Sequence, residues 1–279
     1  FGQTGPDSNR AGYDAMIQAE GGLMSITGEV DGEPMKVGVA LADVITGLYS
    51  CYAILAALMA RNHINKGQYI DIALLDVQVA TLVNQGMNYL VTGENPKRRG
   101  NTHPNIVPHQ TFKTSDGNMI LAIGNDAQYR KFCELIGCQE LTNNPDYATN
   151  EQRVLNWVSL IPFVAKYMEN HTTDWWVDKL KALNVPYGRV NTMEQVFNHE
   201  QIKHRNLIKE IPDINGKLIK TIGSPINLSE TPLKYHSASP DLSQHSMEIL
   251  SGELGYSDSK IQQLIDRKST RLNSSHTSI

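Results

Sequence analysis

The chain has 279 residues, 40% of them hydrophobic, a formal net charge of −4 and three cysteines. That length and apolar content support the core of one large or two modest domains, and the acidic balance excludes the basic footprint of a nucleic-acid binder. Cys51, Cys133 and Cys138, an odd count without CxxC spacing, argue against a disulfide framework or a zinc site and suit a reducing compartment.

The chain opens at Phe1 rather than Met, inside a glycine-rich turn from Gly2 to Pro6, and is expected to be a piece whose upstream part is missing, along with any targeting segment. Ala11 to Gly21 reads as a short helix with Tyr13 and Asp14 in its first turn. An apolar run from Val37 to Ala42 then meets Asp43, and a second run, Val44 to Ala60, follows it. A carboxylate between two apolar runs is costly to desolvate, and the bland reading makes Asp43 the N-cap of the helix behind it. That helix approaches the ~20 apolar residues of a membrane span, but Thr46, Gly47, Ser50 and two tyrosines interrupt it. It is expected to be buried in a soluble core, with Cys51 inside. Tyr69 to Leu75 reads as a strand, Asp76 as an N-cap and Val77 to Val91 as another helix; helix, strand, helix implies an α/β layer.

Gly93 to Gln110 is a loop by composition, with three prolines and the basic triplet Lys97-Arg98-Arg99; loops of this length often carry function. The triplet is either a solvated face or a carboxylate clamp, because arginine grips a planar carboxylate as a bidentate fork. His103 and His109 lack metal-ligand spacing and read as polar loop residues. Thr111 to Thr114 and Met119 to Ile123, joined at Ser115-Asp116-Gly117, read as a β-hairpin. Ala127 to Ile136 reads as a helix. Glu151 to Asn170 is a longer one that Pro162 kinks or divides. Thr173-Asp174 caps Trp175 to Leu183, with both tryptophans as core anchors.

Val185 to Val190 reads as a strand and Thr192 to His199 as a capped helix. Leu207 to Ile214, Gly216 to Ile222 and Pro225 to Leu228 read as strands, the first two joined at Asn215-Gly216. Met247 to Leu254 and Ser259 to Ile265 read as terminal helices. Arg267 to Ile279 has no hydrophobic periodicity, a composition typical of disorder, and looks like translated adaptor sequence.

Several stretches, in this order, resemble family III CoA-transferases, the CaiB/BaiF and formyl-CoA transferase group. They are Phe1-Gly2-Gln3-Thr4-Gly5-Pro6, Ala11-Gly12-Tyr13-Asp14, Gly21-Gly22-Leu23-Met24-Ser25-Ile26-Thr27-Gly28 and Gly38-Val39-Ala40-Leu41-Ala42-Asp43. Arg99-Gly100-Asn101-x-His103 and Ile106-Val107-Pro108-x-Gln110-x-Phe112-Lys113-Thr114-x-Asp116-Gly117 are most similar to the branch moving CoA between succinyl-CoA and glutarate or hydroxymethylglutarate. The resemblance implies an α/β protein: a Rossmann-like large domain, its N-terminal half absent and its remainder at 1–110, a small α+β domain at 111–205, and a return to the large domain at 206–266. It also implies an interlocked homodimer in the cytoplasm or mitochondrial matrix, with no nucleic acid, membrane or permanently bound cofactor and with a coenzyme A thioester as substrate.

By the same resemblance Asp43 is the nucleophile, and Gly12, Tyr13, Arg98, Arg99, Asn101 and His103 face CoA or substrate. Related acyl-CoA racemases carry a histidine where this chain has Tyr13, and an ordinary tyrosine, with pKa ~10, is a poor proton shuttle at neutral pH; transfer is favoured over racemisation. The glycine-rich active-site loop of formyl-CoA transferase has no counterpart, which argues against formyl-CoA and oxalate. In Pro240-Asp241-Leu242-Ser243-Gln244-His245 the family's histidine is kept and its glycine is not. The alternatives are the racemase and a non-catalytic remnant. Solvent deuterium incorporation identifies the first, and failure of a completed protein to exchange CoA identifies the second.

Overall fold

The computed structural model describes residues 1–266; the expectation for 267–279 lies outside them. The chain forms two compact units, Phe1–Val190 and a second from Asn191 onward.

In the first unit, helices α1 (Asp14–Glu20), α2 (Leu23–Ile26), α3 (Leu41–Ile64), α4 (Leu74–Ala80) and α5 (Val83–Thr92) precede every strand. Gly21 ends α1 because nothing larger fits: a Cβ there would stand 2.4 Å from Gln78 Cγ and 2.8 Å from Ile17 O. This close crossing seats α1 on α4, with Ile17, Gln18, Val77 and Gln78 buried between them.

Tyr69–Leu75 is not a strand. No ladder partner reaches it among the described residues, so its backbone groups stay outside any sheet, and helix begins at Leu74. Asp76 is accordingly the third residue of α4, not its cap, and the expected helix Val77–Val91 is divided at Thr81–Leu82.

The largest correction concerns α3. Of its 24 residues only Ala42 is buried, and Cys51 is exposed. The helix is long and apolar enough, by length and composition, to cross a membrane. The helices that pack on it are α1 and α4, each seven residues and so about 10 Å long against about 36 Å for α3; their length leaves most of it uncovered.

The core of this unit lies elsewhere. Strands β1 (His109–Lys113) and β2 (Asn118–Ala122) form the expected hairpin, Phe112 opposite Met119, and β3 (Tyr187–Arg189) adds an antiparallel third strand beside β2. Helices α9 (Trp157–Met168) and α10 (Thr173–Leu183) lie against this sheet, with α6 (Asp126–Leu135) on α10, α7 (Gln139–Asn143) on α6 and α8 (Asn150–Leu155) on α9. Leu121, Ile123, Phe132, Leu160, Val164 and Trp176 are fully enclosed, and the Trp176 indole donates to Met168 O at 2.9 Å. The break between α8 and α9 falls at Asn156, while Pro162 lies inside α9. Asp116 Oδ1 accepts from Thr173 N at 2.8 Å and Thr173 Oγ1 at 2.9 Å, joining the hairpin turn to α10; these bonds hold the Asp116 carboxyl below the usual carboxylate range.

The second unit contains α11 (Met193–Asn198), opened by a capping box of Thr192 and Gln195, then α12 (Glu200–His204) and the antiparallel pair β4 (Ile208–Pro212) and β5 (Leu218–Ile222). Asn215 and Gly216 lie in a loop fastened by Asp213 Oδ1, which accepts from Asn215 N and Lys217 N at 2.8 Å each. Among the described residues Pro225–Leu228 joins no ladder, and it is not a strand. The expected helix at Met247–Leu254 is a π-helix, Glu248–Glu253, and α13 spans Asp258–Asp266.

Candidate active site

Asp43 is the third residue of α3, not its N-cap; Ala40 stands at the cap and offers no side-chain acceptor. The Asp43 carboxylate is exposed and makes no hydrogen bond or ion pair among the described residues. A carboxylate in the first turn is favoured by the helix dipole, and one without partners is free to attack an electrophile.

The backbone around it is the reverse of free. Ala42 N and Asp43 N donate to Asp14 Oδ1 at 2.9 Å and 3.4 Å. Leu41 N donates to Val39 O at 2.8 Å and Val44 N to Ala40 O at 3.1 Å. The opening amides of α3 are therefore engaged, and donors for an oxyanion must come from elsewhere. Gly38 is open: a Cβ there would meet nothing within 4 Å.

Tyr13 precedes α1 in an extended conformation, 63% exposed. Gly12 packs near Ile17 and Phe1, where a Cβ would make ordinary contacts at 3.6–3.8 Å. Asp14 thus links the Gly12-Tyr13 segment to Asp43, and sequence reasoning missed it. The signal available was its i, i+4 spacing to Gln18 at the start of the same helix.

The loop carrying the remaining candidates folds onto 28–32. Arg98 Nη2 donates to Gly32 O at 2.7 Å and Nε to Glu29 O at 3.3 Å, while Gly100 N donates to Gly28 O at 3.0 Å. Arg98 is thereby occupied with backbone carbonyls. Arg99 has no such partner among the described residues and lines a cleft of about 400 Å³ with Lys97, Gln85, Asn88, Pro104 and Asn105. Asn101 is exposed.

His103 stacks on His109 with centroids 5.0 Å apart, and its Nδ1 accepts from Asn105 N at 3.1 Å. Burial, aided by the neighbouring His109, holds its pKa below the usual imidazole value. The far end of the loop is anchored by Arg153, fully buried, whose Nε donates to Val107 O at 2.7 Å and Nη2 to Asp126 Oδ1 at 2.8 Å. No hydrogen bond or ion pair joins Asp43 to Arg98, Arg99, Asn101 or His103 among the described residues. Asp14 ties the first turn of α3, which carries Asp43, to the start of α1, where Gly12 and Tyr13 precede it. No group of three or more potential metal ligands occurs among the described residues.

The model of CoA-transferase family III matches residues 1–246. The chain belongs to this family. It is 45% identical over 254 residues to the succinate–glutarate CoA-transferase of Agrobacterium fabrum, covering 90% of this chain and 62% of that protein. It is 39% identical over 265 residues to the succinyl-CoA:glutarate CoA-transferase of Homo sapiens, covering 95% and 60%. A crystal structure of a CaiB/BaiF family protein from Brucella suis matches the fold with a TM-score of 0.78 at 44% identity, over 90% of this chain and 65% of that one. The chain thus spans less than two thirds of the length of these relatives, and it carries the α/β architecture of the CaiB/BaiF family.

Proposed function

We propose that the protein moves CoA from an acyl-CoA donor, succinyl-CoA, to a carboxylic acid acceptor, a dicarboxylate such as glutarate, with Asp43 as nucleophile. The observation that carries this reading is the exposed Asp43 carboxylate, without a partner among the described residues, on a helical turn whose amides from Leu41 to Val44 are bonded. The succinate–glutarate and succinyl-CoA:glutarate CoA-transferases of Agrobacterium fabrum and Homo sapiens, as their names state, use this substrate pair, which supports the assignment.

An Asp43 oxygen attacks the thioester carbonyl and CoA leaves as thiolate, giving a mixed acyl-aspartyl anhydride. The thiolate then attacks the aspartyl carbonyl and releases the donor carboxylate, leaving an aspartyl-CoA thioester. The acceptor carboxylate attacks that thioester, and the returning thiolate takes the acyl group and frees Asp43. One thioester is consumed and one formed, with no change of oxidation state.

Arg99 is the residue we assign to the distal carboxylate of the acceptor, since it is a cation with no hydrogen-bond or ion-pair partner among the described residues, in a cleft lined by polar side chains. The anhydride requires exclusion of water, and Asp43 is open on this chain. We propose that a second copy, in the interlocked dimer of the family, supplies the cover by seating on the exposed Val44, Leu48, Tyr52 and Leu55 of α3.

The test is trapping. The full-length protein is mixed with succinyl-CoA and quenched with hydroxylamine, and its peptides are weighed. A hydroxamate on the peptide carrying Asp43, absent in Asp43→Asn, is expected; an active protein with no adduct there would sink the covalent scheme.

A further inference from the structure

A helix leaves its first four amides without internal partners, and α3 solves this in an unusual way. Leu41 N is met by the local carbonyl of Val39, and Val44 N begins the regular helical ladder on Ala40 O, whereas the amides of Ala42 and Asp43 reach a side chain 28 and 29 residues upstream, Asp14 Oδ1. The other oxygen of Asp14, Oδ2, accepts from Gln18 Nε2 at 2.7 Å. Gln18 is fully buried; its Oε1 accepts from Val37 N at 2.9 Å and its Nε2 also reaches Val39 O at 3.4 Å. Two side chains on one face of α1 therefore hold the segment 37–43 at four backbone points.

We propose that Asp14, oriented by Gln18, is a positioning residue that fixes the first turn of α3 and so aims the Asp43 carboxylate. This rests on the reading of Asp43 as nucleophile. The chemistry of the tie explains the residue types. Every group facing Asp14 is a donor, so only an acceptor at both oxygens satisfies all three bonds. An asparagine would keep the cap through its carbonyl but set its amide against the amide of Gln18. Turning Gln18 over relieves that conflict only by withdrawing the acceptor from Val37 N. Asp14 also spans α1 and α3, so the first turn that carries the nucleophile is tied to a neighbouring helix and not only to the irregular residues 27–40 before it.

The consequences separate along the series Asp14, Asp14→Asn, Asp14→Ala. Misplacement of a reacting group by about 1 Å costs roughly 100-fold in rate. In Asp14→Ala the rate of adduct formation on Asp43 is expected to fall about 100-fold with KM for the acyl-CoA unchanged within about twofold, and Asp14→Asn is expected to lie between. Hydrogen exchange on the same proteins reads the tie independently of activity. The amides of Ala42 and Asp43 should exchange at least about 10-fold faster in Asp14→Ala, with those of β1 to β3 unchanged as the control for folding.

Unchanged exchange at Ala42 and Asp43 would overturn the tie, and faster exchange with an unchanged adduct rate would overturn its role in positioning. Should Asp14→Ala fail to fold, Asp14→Asn carries both readouts. Wild-type turnover in Asp43→Asn would remove the nucleophile reading and the catalytic meaning of the tie with it, while the exchange data would still decide whether Asp14 caps α3.

Discussion

The layer from Val107 to Tyr187 and the helix α3 are both rich in apolar residues, yet they use them in opposite ways. In the layer, Leu121, Phe132, Leu160 and Trp176 vanish from solvent, whereas in α3 Leu48, Tyr52, Leu55 and Met59 stand more than half exposed. The layer meets its own partners: three strands and five helices close on one another within 80 or so residues. Helix α3 meets two helices of seven residues. Apolar sequence thus forecasts burial only where the chain itself supplies the opposing face.

The sharpest division between the regions is chemistry against stability. Asp43→Asn is expected to lower CoA transfer on the order of 1000-fold or more while leaving the melting midpoint in place, because its side chain holds nothing together. Steady-state exchange and calorimetry on one preparation check both halves, and a matching loss of stability would refute the separation.

A pair of leucines measures packing directly. Leu160→Ala removes a fully enclosed side chain and should cost about 2–5 kcal/mol in urea unfolding. Leu55→Ala, 59% exposed, should change stability by less than about 0.5 kcal/mol on the monomeric chain. A large cost at Leu55 would mean that α3 is covered in solution, and dependence of that cost on protein concentration would identify a second copy as the cover.

Within the basic loop, Arg98 and Arg99 are expected to part company. Arg99→Ala should raise KM for the acceptor acid roughly 10-fold, about 1.4 kcal/mol of lost binding, with kcat and melting little changed. Arg98→Ala, which releases the carbonyls of Glu29 and Gly32, should lower stability by about 1–3 kcal/mol. Exchanged phenotypes would reverse the assignment.

The smallest effect concerns His103. Its folded-state pKa is depressed, so the unfolded chain takes up the proton first as pH falls. Stability from this group is complete above about pH 6.5 and declines as pH drops toward the folded value. Between about pH 7.5 and about pH 5.5 the melting midpoint of the wild type should fall more than that of His103→Gln. Parallel curves would show that the folded chain does not hold the His103 ring neutral, and with it the Asn105 N–H to Nδ1 bond, any more than the unfolded chain does.

The hairpin β1–β2 and the helices after it were legible because alternation and helical periodicity both point to a face that exists on this chain. The long α3 was legible as a helix; its exposure was not, since no pattern of residues reports the length of the elements available to cover it. Tyr69 to Leu75 has the composition of a strand but no ladder to join, and propensity without pairing does not make a sheet. At the candidate site, Asp43 stood out through the ordered motifs around it, while its capping role was misread because the cap comes from Asp14. Polar residues at i, i+4 ordinarily mark a solvated helix face, and only tertiary packing turned Asp14 and Gln18 into an anchor. Arg153 escaped notice likewise: a lone arginine in a short helix gives no sign that it will be enclosed against Tyr129, with its ring 4.2 Å beneath the guanidinium.

All three tryptophans, Trp157, Trp175 and Trp176, belong to the packed layer, where His171 lies flat on Trp175 with centroids 3.6 Å apart. Intrinsic indole emission is therefore a colour that only half of this unit wears. A denaturation curve followed by it records the melting of the layer and is blind to the fate of Asp43. A Tyr52→Trp probe in the layer-silent helix would give that end its own optical channel, so that loosening around the nucleophile and collapse of the layer could be watched as separate events.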